Sequence, residues 1–193
     1  QMYMANMKSI FMDMIKNTDM VIFNRCKKED PLPTYRRGIK VANQRAEVIF
    51  EDEEGELGDI FQDEMPFDMN APVIEILPED YGIWFVDAMD HPENYEGKTV
   101  KFKARVMKPR GMGSKFFVPG RTAMTCCADD TTFLGYVCKS AYAPKLTPGE
   151  WVEVTAKVGI EKRNEYQGEE GIVLAAEHVE QCDPLEDEMV FFN

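Results

Sequence analysis

Between Arg121 and Asp130 the chain reads Arg-Thr-Ala-Met-Thr-Cys-Cys-Ala-Asp-Asp, which sets two adjacent thiols and two carboxylates beside a guanidinium. Thiolates are soft ligands that select zinc or copper(I), so Cys126 and Cys127 with Asp129 and Asp130 form a candidate metal site, with zinc as the expected ion. The same two thiols could instead carry redox chemistry. Geometry limits both ideas. Neighbouring side chains on a strand point to opposite faces, so one thiol joins the core while the other faces out. A simple hairpin pairs Cys127 near Thr132 and carries Cys138 far along the next strand, which argues against a three-thiol cluster. A vicinal disulfide would be strained. The structural alternative is one buried, small apolar cysteine and one partly exposed cysteine at a turn.

The remaining chemistry is sparse. Five cysteines, with Cys26, Cys138 and Cys182 completing the set, are an odd number without a C-x-x-C pair, so neither a disulfide framework nor a zinc knuckle has the spacing it needs. Two histidines, His91 and His178, give little material for a Cys-His or Ser-His-Asp arrangement. The acidic segment Glu51–Asp68 lacks the spacing of a calcium loop, and Gly111–Lys115 lacks that of a phosphate loop. A non-catalytic role is therefore the expectation.

Cations supply a third kind of candidate. Lys101, Lys103 and Arg105 alternate along one predicted strand face. Together with Arg110, Lys115 and Arg121, and with Phe116, Phe117 and Trp151 as flat side chains, they could bind single-stranded nucleic acid on a barrel face. Charge distribution weighs against it. The net charge of −13 is uneven: residues 1–45 carry +5, residues 46–96 carry −17 with no Lys or Arg at all, residues 97–182 carry +3 and residues 183–193 carry −4. An acidic band of that size can lie across the basic row and neutralise it, so nucleic acid is the disfavoured partner.

The elements that position these residues follow from periodicity. Met7, Ile10, Phe11, Met14 and Ile15 have helical spacing, which predicts a helix within Met2–Phe23 that packs on the domain or forms an oligomer contact. Cys26–Pro33 reads as a linker, residues 36–45 as a solvated basic face, Ala46–Phe50 and Val73–Leu77 as short strands. Pro78 with Glu79 and Asp80 opens a helix in which Tyr81, Trp84, Phe85, Ala88 and Met89 share one face, ending before Pro92. Five strands follow: Lys98–Lys108, Phe116–Cys127 with a bulge or edge at Pro119-Gly120, Thr132–Lys139, Trp151–Ile160 and Ile172–Cys182. The fold class is mainly β (α+β): a small five-stranded OB-like Greek-key barrel at 72–193, preceded by a helix, with an N-terminal helical and acidic extension at 1–71. No run of 18 or more apolar residues occurs, so no transmembrane segment is expected in this chain. The chain begins with Gln rather than Met, which leaves room for a membrane segment upstream.

Asn94–Lys98, Gly120–Asp130 and Trp151–Val154, with the Met-Thr-Cys-Cys-Ala-Asp core, together resemble the soluble C-terminal domain of the uncharacterised YcgQ-like bacterial membrane proteins, over roughly Pro72–Asn193. The resemblance implies association with a membrane, and a predicted permease or other protein as partner. The functional expectation is a non-catalytic accessory or binding domain of a permease system that binds a metal ion or a protein. A single-stranded nucleic-acid module and a thiol redox protein are the alternatives.

Overall fold

Alternating apolar and charged residues need two unlike faces, and a sheet rolled on itself supplies them. Thr99–Met107 (β4) turns Val100, Phe102, Ala104 and Val106 inward, and Trp151–Lys162 (β8) does the same with Val152, Val154, Ala156 and Val158; all eight are buried. These strands pair antiparallel from Thr99↔Lys157 to Arg105↔Trp151. β8 pairs antiparallel with Glu170–Gln181 (β9), with a register shift between Thr155 and Ala156. Phe116–Met124 (β5) pairs antiparallel with Val137–Lys139 (β7), and β7 runs parallel to β9.

The ring closes because β5 changes partner along its length. Phe116 and Phe117 face Lys139 and Cys138 of β7, whereas Val118, Pro119 and Gly120 face Met107, Val106 and Arg105 of β4. The order β4-β5-β7-β9-β8 and back to β4, with one parallel pair, is that of an OB-type Greek-key barrel. The exchange falls between Phe117 and Val118, and Pro119-Gly120 lies just beyond it in the part paired with β4. A Cβ on Gly120 would lie 2.3 Å from the Leu134 carbonyl and 2.4 Å from the Phe133 ring, so only glycine allows the neighbouring chain this close.

Thr131–Gly135 (β6) also pairs with β5, and Tyr136 separates it from β7. The third strand predicted as continuous over Thr132–Lys139 is thus broken. Tyr136 is buried and its hydroxyl donates to the Phe85 carbonyl at 2.5 Å, fixing the ring to the helix Tyr81–Asp90 (α2). That helix follows the 3-10 turn Pro78–Asp80 and stops at His91, whose N–H donates to Asp87. Its Trp84 lies 4.9 Å from Phe102 and 5.7 Å from Tyr136 between ring centroids, and Phe85 stacks on Tyr136 at 4.8 Å. Tyr81 donates to the Leu134 carbonyl at 3.0 Å. Burial pushes both phenols far above their usual pKa, so they remain neutral donors. The helix precedes the barrel, and between β7 and β8 stands only a 3-10 turn, Ala143–Lys145. Ile74–Glu75 (β3) adds a parallel edge beside β4, and Met189–Val190 (β10) pairs with β5.

The computed structural model describes residues 10–27, 29–58, 65–124 and 131–191. Two compact units divide the chain: Met65–Thr122 with Phe133–Val190 contain most of the barrel, and Gln1–Glu64 with Ala123–Thr132 and Phe191–Asn193 form the other. In the latter, residues 10–15 are helical, but Met20–Phe23 (β1) is a strand rather than the end of the predicted helix. The Asn43 side-chain amide donates to the Ile15 and Thr18 carbonyls at 2.9 and 2.8 Å, satisfying the helix end and releasing the chain into β1. β1 pairs parallel with Glu47–Phe50 (β2), and the crossover is a helix, Leu32–Ala42 (α1), where a linker and basic face were expected. Pro33 in its first turn is compatible with helix entry. Phe23 stacks between Tyr35 at 5.6 Å and Phe50 at 4.9 Å.

Two stability tests follow. Trp84→Ala should cost about 3–5 kcal/mol in urea unfolding because it empties the contact between α2 and the barrel interior, while Tyr136→Phe, which keeps the ring and loses one hydrogen bond, should cost only about 1 kcal/mol. Equal losses would contradict the packing described.

Candidate binding groove between the barrel loops

Two hairpin connections converge on one rim of the barrel. Glycine at 111, with φ at +86°, turns the β4–β5 loop, and the Phe116 N–H donates to the Gly113 carbonyl at 2.9 Å to bring the chain into β5. The β8–β9 loop is a 3-10 turn, Asn164–Tyr166, with Gln167 in the left-handed region. Its Tyr166 hydroxyl donates to the Ile172 carbonyl at 2.5 Å and accepts from the Val137 N–H at 3.2 Å, which ties the loop to β9 and β7.

Between these loops lies an open groove of about 590 Å³, lined by Pro109–Gly113 and Phe116 on one side and Lys162–Glu165 on the other. The Arg163 guanidinium lies over the Phe116 ring at 4.3 Å and forks onto Glu165, with Nε–Oε2 3.1 Å and Nη2–Oε1 3.0 Å. The hydrogen bond to Glu165 raises the Arg163 pKa and, reciprocally, the bond from Arg163 lowers that of Glu165, so both stay charged. Arg110 and Lys162 are exposed and have no ion-pair partner among the described residues. Phe116 and Lys139 are register partners on adjacent strands, so they share the outer face beside the groove. The lining is cationic in a chain of net charge −13.

The basic row anticipated on β4 is placed differently. Lys101 Nζ meets Glu153 Oε1 at 2.8 Å, is the register partner of Glu75, and has its pKa raised chiefly by the hydrogen bond to Glu153. Lys103 lies opposite Glu153, which in turn faces Glu180 on β9. A carboxylate on the adjacent strand thus pairs with Lys101, while Lys103 faces one in register with no ion pair among the described residues. Arg105 donates to the Gly149 carbonyl at 3.1 Å. Trp151, its register partner, is 6% exposed and offers no free ring face for stacking.

Arg121 is 2% exposed and serves the interior. Its Nη1 donates to the Pro78 carbonyl and its Nη2 to those of Asp187, at 2.7 Å, and Met189, at 3.3 Å, while the guanidinium stands 5.6 Å from the Tyr81 ring. Burial lowers its pKa, against the favourable fields of Tyr81, Asp187 and Glu79. A residue placed among the surface binding groups by its type thus fastens the segment before α2 and the C-terminal strap to β5.

Cys126, Cys127, Asp129 and Asp130 lie outside the described residues. Cys138 is fully buried on β7, and burial pushes its thiol up to about 12, which makes it inert as a thiolate at neutral pH. His178 is exposed beside Glu180 at 3.3 Å, and His91 ends α2. Of the groove residues, Arg110 and Phe116 were marked by the sequence; Lys162 and Arg163 were not. Their signal is a basic pair at the end of a long alternating strand, which gains meaning only once β8–β9 is known to face β4–β5.

Among solved structures, the chain is similar to the mitochondrial single-stranded DNA-binding protein Rim1 of S. cerevisiae, at 10% identity over 46% of this chain and 97% of that one, with a TM-score of 0.27. It is also similar to a small single-stranded DNA-binding protein of Streptomyces coelicolor, at 13% identity over 45% and 95%, TM-score 0.26. A third is the aspartyl tRNA synthetase of Entamoeba histolytica, at 15% identity over 61% and 27%, TM-score 0.31. The fold assignment rests on the strand order described above and not on these likenesses. No curated protein matches the chain. No helix among the described residues is long and apolar enough to cross a membrane. Residues 56–192, which include the whole barrel, match the family described as the DUF1980 C-terminal domain, and the chain belongs to that family.

Proposed function

We propose that this chain is a non-catalytic binding domain of a membrane-associated permease system, and that the groove between the β4–β5 and β8–β9 loops is where it takes an anionic ligand. The observation that carries the reading is the pairing pattern of the cations. On the barrel's flank Lys101 is matched by Glu153 and Arg105 by the Gly149 carbonyl, whereas Arg110 and Lys162, the latter facing Glu170 in register, line an open groove with no ion pair among the described residues. Unpaired cations at a concave site raise the local concentration of anions even when the whole protein is acidic. The rim formed by these two loops is also where OB barrels in general receive extended ligands, which supports the reading by analogy of fold. The membrane setting and the permease partner come from the resemblance to the YcgQ-like proteins.

The Cys126-Cys127 segment belongs to the same reading as a second, separate site. With Asp129 and Asp130 it would hold zinc, while Cys138, buried and strongly protonated, takes no part.

Two measurements test these parts. Inorganic polyphosphate added to the full chain in a calorimeter should bind with an affinity that falls as salt rises, and Arg110→Ala/Lys162→Ala should abolish most of that salt dependence; unchanged binding by the double variant would remove the groove from the account. Metal analysis of protein purified without chelators should find about one zinc per chain, lost in Cys126→Ser/Cys127→Ser. Metal-free protein with intact thiols would leave these cysteines as structural residues.

A further inference from the structure

The groove contains more than charge. Arg163 does not extend into solvent as a strand-end arginine ordinarily would. The centre of its guanidinium sits 4.3 Å from the Phe116 ring centroid, and the two-point contact with Glu165, with Glu161 at 3.9 Å, holds the group in place. Only 17% of the side chain is exposed, yet the residue lines the groove, so what it presents there is a small part of an oriented, planar cation. A phosphate needs no such plane, since a lysine on a flexible stem binds it as a point charge. A nucleobase does need one, because a guanidinium face stacks on its π-system.

Cations suited to a sugar-phosphate backbone surround this plane. Arg110 and Lys162 stand in the groove, and Lys139 lies beside Phe116 on the outer face of β5 and β7. They come from three different segments, so they line a path rather than one point, and the groove volume of about 590 Å³ exceeds what a single phosphate fills.

We propose that the groove binds single-stranded nucleic acid, with one base stacked on the Arg163–Phe116 pair and the flanking phosphates held by Arg110, Lys162 and Lys139. This rests on the reading of the groove as an anion site and adds the ligand class. The acidic band at residues 46–96 sets a condition: its long-range repulsion is greatest at the lowest salt and is screened first, so binding is expected at moderate salt, where the shorter-range attraction within the groove persists.

The test compares a 12-nucleotide oligo(dT), inorganic polyphosphate of matched charge and dTMP on the full chain by fluorescence anisotropy, competition and calorimetry. Oligo(dT) should bind at least about tenfold tighter than polyphosphate, since stacking contributes roughly that factor per base, and dTMP should bind more weakly than both. Arg163→Lys keeps the charge and loses the plane; it should bring oligo(dT) down to the polyphosphate affinity while leaving polyphosphate binding unchanged. Lys139→Ala should reduce the salt slope for oligo(dT) by about 0.7. Equal affinity for the two polymers, or an Arg163→Lys variant indistinguishable from wild type, would overturn this proposal and leave the anion site standing. No binding of either polymer would remove both.

Discussion

The meeting of β4, β5 and β6 on one side of the barrel depends on one residue having no side chain. At Gly120 the strand β5 pairs with Arg105 of β4, and the Leu134 carbonyl with the Phe133 ring, both of β6, occupies the space a Cβ would need. Were that approach blocked, β6 could not lie against β5 where β5 pairs with β4, and the connection into β7 would have to move. Pro119 beside Gly120 has no N–H to offer, so β5 lacks one ladder donor there. The aromatic contact between α2 and the inward face of Phe102 then fills the closed interior, and the hydroxyls of Tyr81 and Tyr136 reach carbonyls that lie inside it.

Function on such a scaffold is decided by which charges the fold leaves unmatched. Lys101 and Lys103 lie among Glu75, Glu153 and Glu180 because adjacent strands place opposite charges side by side. Arg121 is buried against carbonyls and a tyrosine ring. Arg163 is an intermediate case, neutralised at one edge by Glu165 while the plane is kept beside Phe116. Arg110 and Lys162 make no ion pair among the described residues, although Lys162 faces Glu170 in register. Counting basic residues along the chain could not separate these four situations, since a lysine in a cross-strand pair and a lysine in a groove have the same sequence signature.

What was legible in the sequence was what is local. Alternation over Thr99–Met107 and Trp151–Lys162, and the apolar face from Tyr81 to Ala88 behind Pro78, recur in the structure because each follows from one period and one burial direction. The failures came where a distant residue decides. Helical spacing near the start predicts a helix reaching toward Phe23, but Asn43, far along the chain, caps its end by donating to the Ile15 carbonyl and to that of Thr18 just beyond, while its Oδ1 accepts from the Arg45 N–H. The break at Tyr136 is set by its bond to Phe85, and the groove exists only because two loops distant in sequence meet. The helix Leu32–Ala42 did carry a local signal in Pro33, which was read as a breaker when it was a first-turn residue.

The central claim is that ligand contact occurs at the rim between the two hairpin loops. The most direct test is to record backbone amide NMR shifts of the full chain as a short anionic polymer is titrated in. The account predicts perturbations concentrated at Arg110–Gly113, Phe116 and Lys162–Glu165, with the amides of Lys101, Lys103 and Trp151 unmoved. Shifts confined to the β4–β8 flank, or spread evenly over the barrel, would contradict it.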